Sequence, residues 1–265
     1  WRKLKYNLIE AKAQNKNTIL TFGGAYSNHI SATGSVGKIF GFETIGVIRG
    51  EETLPLNPTL LQAKKDGMRF LYVSRTDYRK KHTPEFINKL KEELGDFYII
   101  PEGGGNKLGV KGCNDIVNEI DIAFNYILTD CGTGATLAGI CDVLKGNQKA
   151  IGIPVLKGGD FIKDEVKLLL GDTYTRIESR YSLETDYHFG GYAKYNQGLI
   201  LFMRDFFKET NIKTDPIYTG KLFYALVDLA KKDYFKRGST IVVVHTGGLQ
   251  GIKGFEKRHG LSIFD

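Results

Sequence analysis

The chain has 265 residues, 42% hydrophobic and 25% charged, the make-up of a folded globular protein long enough for one large α/β domain or two smaller ones, which excludes a disordered chain. Its formal charge of +7 and pI near 9.1 come from lysines scattered among acids, so no nucleic-acid partner is expected. Three cysteines without a C-x-x-C pair and five separated histidines exclude a disulfide framework and give no support to a metal site; no apolar run is long enough to span a membrane, and a reducing cytoplasm is the expected compartment.

Residues 2–14 carry Leu4, Leu8 and Ala11 at helical spacing, which predicts an amphipathic opening helix. Since Trp1 already stands at the start of that pattern, the chain is expected to be a piece whose N-terminal part is missing. Short apolar runs at 18–22, 44–48, 69–73 and 97–100 then alternate with helical stretches near 28–40, 57–66 and 83–93, the rhythm of β-α-β units on a parallel sheet. The basic run at 75–82, which contains Asp77 and Tyr78, predicts a solvated loop before a helix cap at Thr83. A second series follows: a helix near 110–122, a strand at 126–129, a helix from Gly134, a strand at 150–154, a helix near 160–169, helices near 195–210 and 219–233, and a late strand at 240–245. The expected fold class is α/β, with two doubly wound domains on mainly parallel sheets. The stretch 171–192 is irregular, aromatic and glycine-bearing, and no role can be derived for it.

Ligands of open α/β sheets bind at the carboxyl ends of strands, so the loops that follow strands carry the chemistry. The first, at residues 21–29, joins an apolar run to Gly23, Gly24 and then Ser27, Asn28 and His29. Ser27 or Asn28 can cap the next helix, whose first N–H groups attract anions; an ordinary strand-turn-helix junction has the same spacing. The second, Cys131-Gly132-Thr133-Gly134-Ala135-Thr136, offers inward N–H groups and two hydroxyls to a phosphate. It is neither a Walker loop nor a dinucleotide fingerprint, and a tight turn is its alternative reading. The third, His245-Thr246-Gly247-Gly248, suits close approach of a flat ligand. Between them, the turn beginning Asp215-Pro216 presents Tyr218 at a helix start, either as a proton donor or as a half-buried tyrosine with its hydroxyl satisfied.

Taken together, the opening Arg2-Lys3-Leu4-Lys5-Tyr6, residues 21–29, 131–139, 215–221 and 245–248 resemble the D-cysteine desulfhydrase and 1-aminocyclopropane-1-carboxylate (ACC) deaminase family, pyridoxal-phosphate (PLP) enzymes of the tryptophan-synthase β-like fold (fold type II). The resemblance implies a large PLP-binding domain made of residues 1–17 plus 113–265, with a smaller α/β domain, 18–112, inserted near its start. It assigns Gly132, Thr133, Gly134, Ala135 and Thr136 to the phosphate cup and Lys3 to the same phosphate. Asn28 then stands beside the cofactor's phenolic oxygen and Thr246 at the pyridine nitrogen. Ser27, Asn28 and His29 receive the substrate carboxylate, with Ser27 also a proton-transfer group, and Tyr218 lies close to the substrate. The family's Schiff-base lysine is expected immediately before Trp1, outside this sequence.

ACC deaminases resemble one another in having Glu after the tyrosine, near the pyridine nitrogen, and Gln after Ser-Asn. Here those positions hold Thr219 and His29, which favours the desulfhydrase side: a neutral hydroxyl suffices for removing an α-proton and expelling a thiol, whereas ring opening demands a stronger electron sink. The expected reaction is α,β-elimination from D-cysteine or a similar small amino acid to pyruvate, sulfide and ammonia. The alternatives are ACC deamination to 2-oxobutyrate and ammonia, or an inactive PLP-binding relative should the lysine be absent. A homodimer is implied.

Overall fold

The computed structural model describes residues 1–264, and the chain divides into two compact units, Trp1–Leu108 and Gly109–Asp265. Each is built on one four-stranded sheet in which every pairing is parallel. The expected pair of doubly wound parallel sheets is therefore present.

In the first unit the elements run α1 (Arg2–Ala13), β1 (Thr18–Gly24), α2 (Asn28–Phe40), β2 (Glu43–Arg49), α3 (Pro58–Lys65), β3 (Arg69–Val73), α4 (Arg75–Tyr78), α5 (Pro84–Leu94) and β4 (Tyr98–Ile100), with strand order β3-β2-β1-β4. Alternation along β1 sends Ile19 to one face and Leu20 and Phe22 to the other. Ile19 meets Leu4, Leu8 and Ala11 of α1 and Val36 of α2, while Leu20 and Phe22 pack with Ile45, Val47 and Leu90 of α5. The apolar stripe of α1 thus finds its cover on the first sheet, and the compact division falls between Leu108 and Gly109, whereas the sequence reading placed residues 1–17 with the larger domain and the boundary at 112–113.

One expectation in this unit needs correction. The run 75–82 is not wholly a solvated loop: Ser74 accepts from the Asp77 N–H at 3.0 Å and its hydroxyl bonds the Asp77 carboxylate, which starts α4 and buries Tyr78. The capping chemistry was present in the sequence, but four residues are too few for a helical period. The run expected at 97–100 forms β4, three residues long.

The second unit contains α6 (Lys107–Asn118, which crosses the division), β5 (Tyr126–Cys131), α7 (Ala135–Asp142), β6 (Lys149–Pro154), α8 (Phe161–Leu170), α9 (Tyr174–Ile177), β7 (Tyr181–Leu183), α10 (Gln197–Thr210), α11 (Thr219–Lys231), β8 (Ile241–Val243) and α12 (Ile252–His259), with strand order β7-β6-β5-β8. One sheet face packs on α7 and α8 through Leu137, Ile140, Ile162 and Val166; the other packs on α11 through Leu222, Ala225 and Leu229. The stretch 171–192 holds α9 and the edge strand β7, whose three residues pair with Ala150, Ile151 and Gly152. So short a strand leaves no alternation to read. Helix α12, which no period announced, buries Ile252 and Phe255 beside Leu199, Ile200 and Met203 of α10. Among the described residues no helix is long and apolar enough to cross a membrane.

Candidate active site

In the first unit, β1 ends at Gly24 and the chain turns tightly into α2, the Ser27 N–H donating to the Gly24 carbonyl at 2.9 Å. A Cβ on Gly23 would lie 2.5 Å from Ile30 Cγ1 and 2.8 Å from Ser27 Oγ, so only glycine lets the strand end approach the helix start. Ser27 caps α2, its Oγ accepting from the Ile30 N–H at 3.3 Å. That bond uses a lone pair and leaves the hydroxyl proton uncommitted. Asn28 is the first residue of the helix. The preceding turn is tied down by Asn57, which the sequence reading missed: its amide donates to the Ala25 carbonyl at 2.9 Å while its oxygen caps α3.

His29 Nε2 lies 2.8 Å from Thr21 Oγ1, and Thr21 donates its one hydroxyl proton to the Ile100 carbonyl at 2.7 Å. Thr21 can therefore only accept from His29, which assigns the Nε2–H tautomer and leaves Nδ1 as an acceptor. Burial, aided by the Lys3 charge, lowers the His29 pKa to about 3, so the ring is neutral at physiological pH. Lys3 and His29 flank Gly104, where a Cβ would lie 2.8 Å from Lys3 Cβ and 3.6 Å from His29 Cε1. The structure thus gathers Lys3, Ser27, Asn28 and His29 within one unit.

In the second unit, β5 delivers Asp130 and Cys131 to the start of the glycine loop. Gly134 takes φ +75°, a conformation that admits glycine without strain, and no side chain caps α7 behind it. The first N–H groups of α7 have no side-chain cap, and Thr133 and Thr136 add two hydroxyls to that turn. Together with the bare backbone of Gly132, this is a donor set fitted to a phosphate group.

Tyr218 stands next to that loop: a Cβ on Gly132 would meet its ring at 3.4 Å and its hydroxyl at 3.6 Å. The tyrosine is held by Asp215, whose buried carboxylate accepts from the N–H groups of Ile217 (2.9 Å), Tyr218 (3.1 Å) and Thr219 (2.9 Å) and from the Thr219 hydroxyl (2.9 Å). The Asp215 N–H in turn donates to Thr219 Oγ1 at 2.8 Å. Thr219 is fully buried with its proton committed to Asp215. The Thr219 hydroxyl is therefore engaged within its own turn. Burial pushes the Tyr218 phenol well above its ordinary range, reinforced by its contact with Tyr192 and the nearby Asp130, so it remains a proton donor at neutral pH.

Thr246, beyond the end of β8, donates to Asp130 Oδ1 at 2.7 Å. Its loop is fixed by His245, whose Nε2 donates to the Lys213 carbonyl at 2.8 Å while Nδ1 accepts from the Gly247 N–H at 3.2 Å. Lys221, also missed in the sequence, is 0% exposed. Its Nζ donates to the carbonyls of His188 (2.8 Å), Gly191 (2.9 Å) and Val155 (3.3 Å), pinning the turn that carries Tyr192. Its one legible signal was a lone charge in an otherwise apolar stretch of α11. Among the described residues no group of His, Cys, Asp and Glu is placed to hold a metal ion.

Comparison with known proteins identifies the family. The model of the pyridoxal-phosphate dependent enzyme family matches residues 2–247. The chain is similar to the mitochondrial bifunctional D-cysteine desulfhydrase/1-aminocyclopropane-1-carboxylate deaminase of Arabidopsis thaliana, 30% identical over 95% of this chain and 68% of that protein. It is also similar to the 1-aminocyclopropane-1-carboxylate deaminase of Bradyrhizobium sp. BTAi1, 26% identical over 96% and 82%. The crystal structure of an ACC deaminase homologue superposes with a TM-score of 0.78 at 32% identity, covering 94% of this chain and 79% of that one. With the family model spanning nearly its whole length, the chain belongs to the pyridoxal-phosphate dependent enzymes of fold type II, with PLP as its cofactor.

Proposed function

We propose that this enzyme catalyses α,β-elimination from small β-substituted amino acids, D-cysteine foremost, converting D-cysteine and water to pyruvate, hydrogen sulfide and ammonia. The observation that carries the reading is Tyr218, a protonated phenol held by Asp215 against the backbone of Gly132, beside the phosphate loop. PLP, when bound, supplies the electron sink for breaking bonds at the substrate α-carbon. Gly132, Thr133, Gly134, Ala135 and Thr136 would hold its phosphate with N–H and hydroxyl donors, and Lys3 would add charge; Asn28 would meet its phenolic oxygen and Thr246 its ring nitrogen. Ser27, Asn28 and His29 would receive the substrate carboxylate. Neutral His29 would orient that group without contributing a charge, Ser27 would relay the proton taken from the α-carbon to the Schiff-base lysine, and Tyr218 would protonate the departing sulfur.

Neither Thr219 nor His29 is the carboxylate or carboxamide that ACC deaminases place at those positions, which favours D-cysteine. The second reading, ACC and water to 2-oxobutyrate and ammonia, is favoured by the activities named for the relatives. We further propose that the Schiff-base lysine is the residue preceding Trp1 in the complete protein, and that the enzyme works in the cytoplasm as a homodimer without a nucleic-acid partner. Full-length protein is assayed with D-cysteine and with ACC for sulfide, pyruvate and 2-oxobutyrate. Sulfide with pyruvate supports the first reading and 2-oxobutyrate alone the second. PLP binding without release of any keto acid would leave an inactive relative. Borohydride reduction and peptide mapping locate the lysine.

A further inference from the structure

We propose that Asp130 acts through Thr246 to keep the nitrogen of the cofactor's pyridine ring protonated. The inference rests on the reading that Thr246 meets that nitrogen, and it goes further by fixing which partner brings the hydrogen. Strands β5 and β8 are parallel neighbours. The ladder continues one bond past β8, the Val244 N–H donating to the Leu128 carbonyl at 2.9 Å. Two residues further along each strand, Asp130 and Thr246 come level at the carboxyl edge of the sheet, and there the Thr246 hydroxyl donates to Asp130 Oδ1 at 2.7 Å.

A hydroxyl has one proton. Given to Asp130, it leaves Thr246 presenting lone pairs to whatever lies on its other side. A pyridinium N–H satisfies those lone pairs; an unprotonated ring nitrogen opposes them with a lone pair of its own. Turning the hydroxyl towards a neutral ring would strip the 2.7 Å bond from Asp130, and a carboxylate that is 8% exposed is weakened by losing a donor. Asp130 is therefore a positioning residue: a carboxylate one hydroxyl removed from the ring, taking the part the sequence reading found missing at Thr219. With the ring nitrogen charged the electron sink for removal of the α-proton is strengthened.

The test uses full-length holoenzyme reconstituted with ¹⁵N-labelled PLP and reads the ring-nitrogen resonance, alongside PLP affinity. The expected result is a pyridinium resonance in the unaltered enzyme and in Thr246→Ser, displaced to the neutral-pyridine position in Asp130→Asn and Thr246→Val. A neutral resonance in the unaltered enzyme overturns the proposal, as does a pyridinium resonance retained in Asp130→Asn. A pyridinium resonance unmoved by Thr246→Val, with PLP still bound, refutes instead the placement of Thr246 at the ring, and failure of the full-length protein to bind PLP refutes the functional reading as a whole. Thr246 is exposed, so its variants carry the test even where Asp130→Asn does not fold.

Discussion

Lys221→Met exposes the cost of the buried ammonium through the pH dependence of stability. Burial lowers the Lys221 pKa to about 8, partly opposed by Asp215, while the unfolded chain holds the proton to an ordinary value near 10.4. Between those limits the unfolded state binds more protons, so raising the pH stabilises the fold, and lowering it towards 8 removes that gain. At about 1.4 kcal/mol per pH unit, the lysine contributes roughly 2 kcal/mol between pH 8 and 9.5. Cys141 and Tyr187, which burial pushes upward, act in the opposite sense in both proteins and cancel in the difference. Absolute stability at pH 7 decides little, because methionine removes a costly charge and also strips three carbonyls of their donor. The slope decides. Urea unfolding of the full-length protein and of Lys221→Met at half-unit steps from pH 7.5 to 9.5 should give profiles that diverge by about that amount; parallel profiles would refute the reasoning.

Asp215→Asn replaces an oxygen that accepts two hydrogen bonds with an amide that accepts none, and should cost about 2–4 kcal/mol of stability in urea. Because Tyr218 is positioned by the same carboxylate, kcat for D-cysteine should fall far more than PLP affinity, and an unchanged kcat would remove Tyr218 from the chemistry. Gly23→Ala drives a methyl into Ile30 and Ser27; a loss of about 1–3 kcal/mol with a raised KM is expected, and unaltered kinetics would separate Ser27 from the substrate. His29 stays neutral in the fold down to about pH 3, whereas the unfolded chain takes up a proton near its ordinary value of about 6.5. Stability should accordingly be lost as pH falls from that value towards 3. His29→Gln should move the acid-unfolding midpoint to lower pH, and an unmoved midpoint would deny the buried, neutral ring.

How much could be read in advance follows from the range of each interaction. The apolar runs that became β1, β2, β5 and β6, the glycines at 23, 132 and 134, and the cap at Ser27 are local devices. Their periods and backbone demands are written within a few residues, and so the parallel sheets and the turns that follow β1 and β5 were legible without coordinates. Strands β4 and β8, three residues each, lie within the apolar runs 97–100 and 240–245, whereas β7, equally short, shows no period and is held by its neighbour in the sheet. Helix α1 advertised its apolar stripe but not the surface that covers it. The bond from Thr246 to Asp130 joins residues 116 apart in sequence, and Lys221 reaches carbonyls 30 to 66 residues away. A hydroxyl or an ammonium does not reveal where its proton points until the fold places an acceptor there. Residue types and turn geometry along the chain thus determined the family, its cofactor and the local form of the loops after the strands. The ownership of each proton around Tyr218, Thr219, His29 and Thr246 was decided only by packing, because hydrogen-bond direction depends on which groups the closed fold has removed from water.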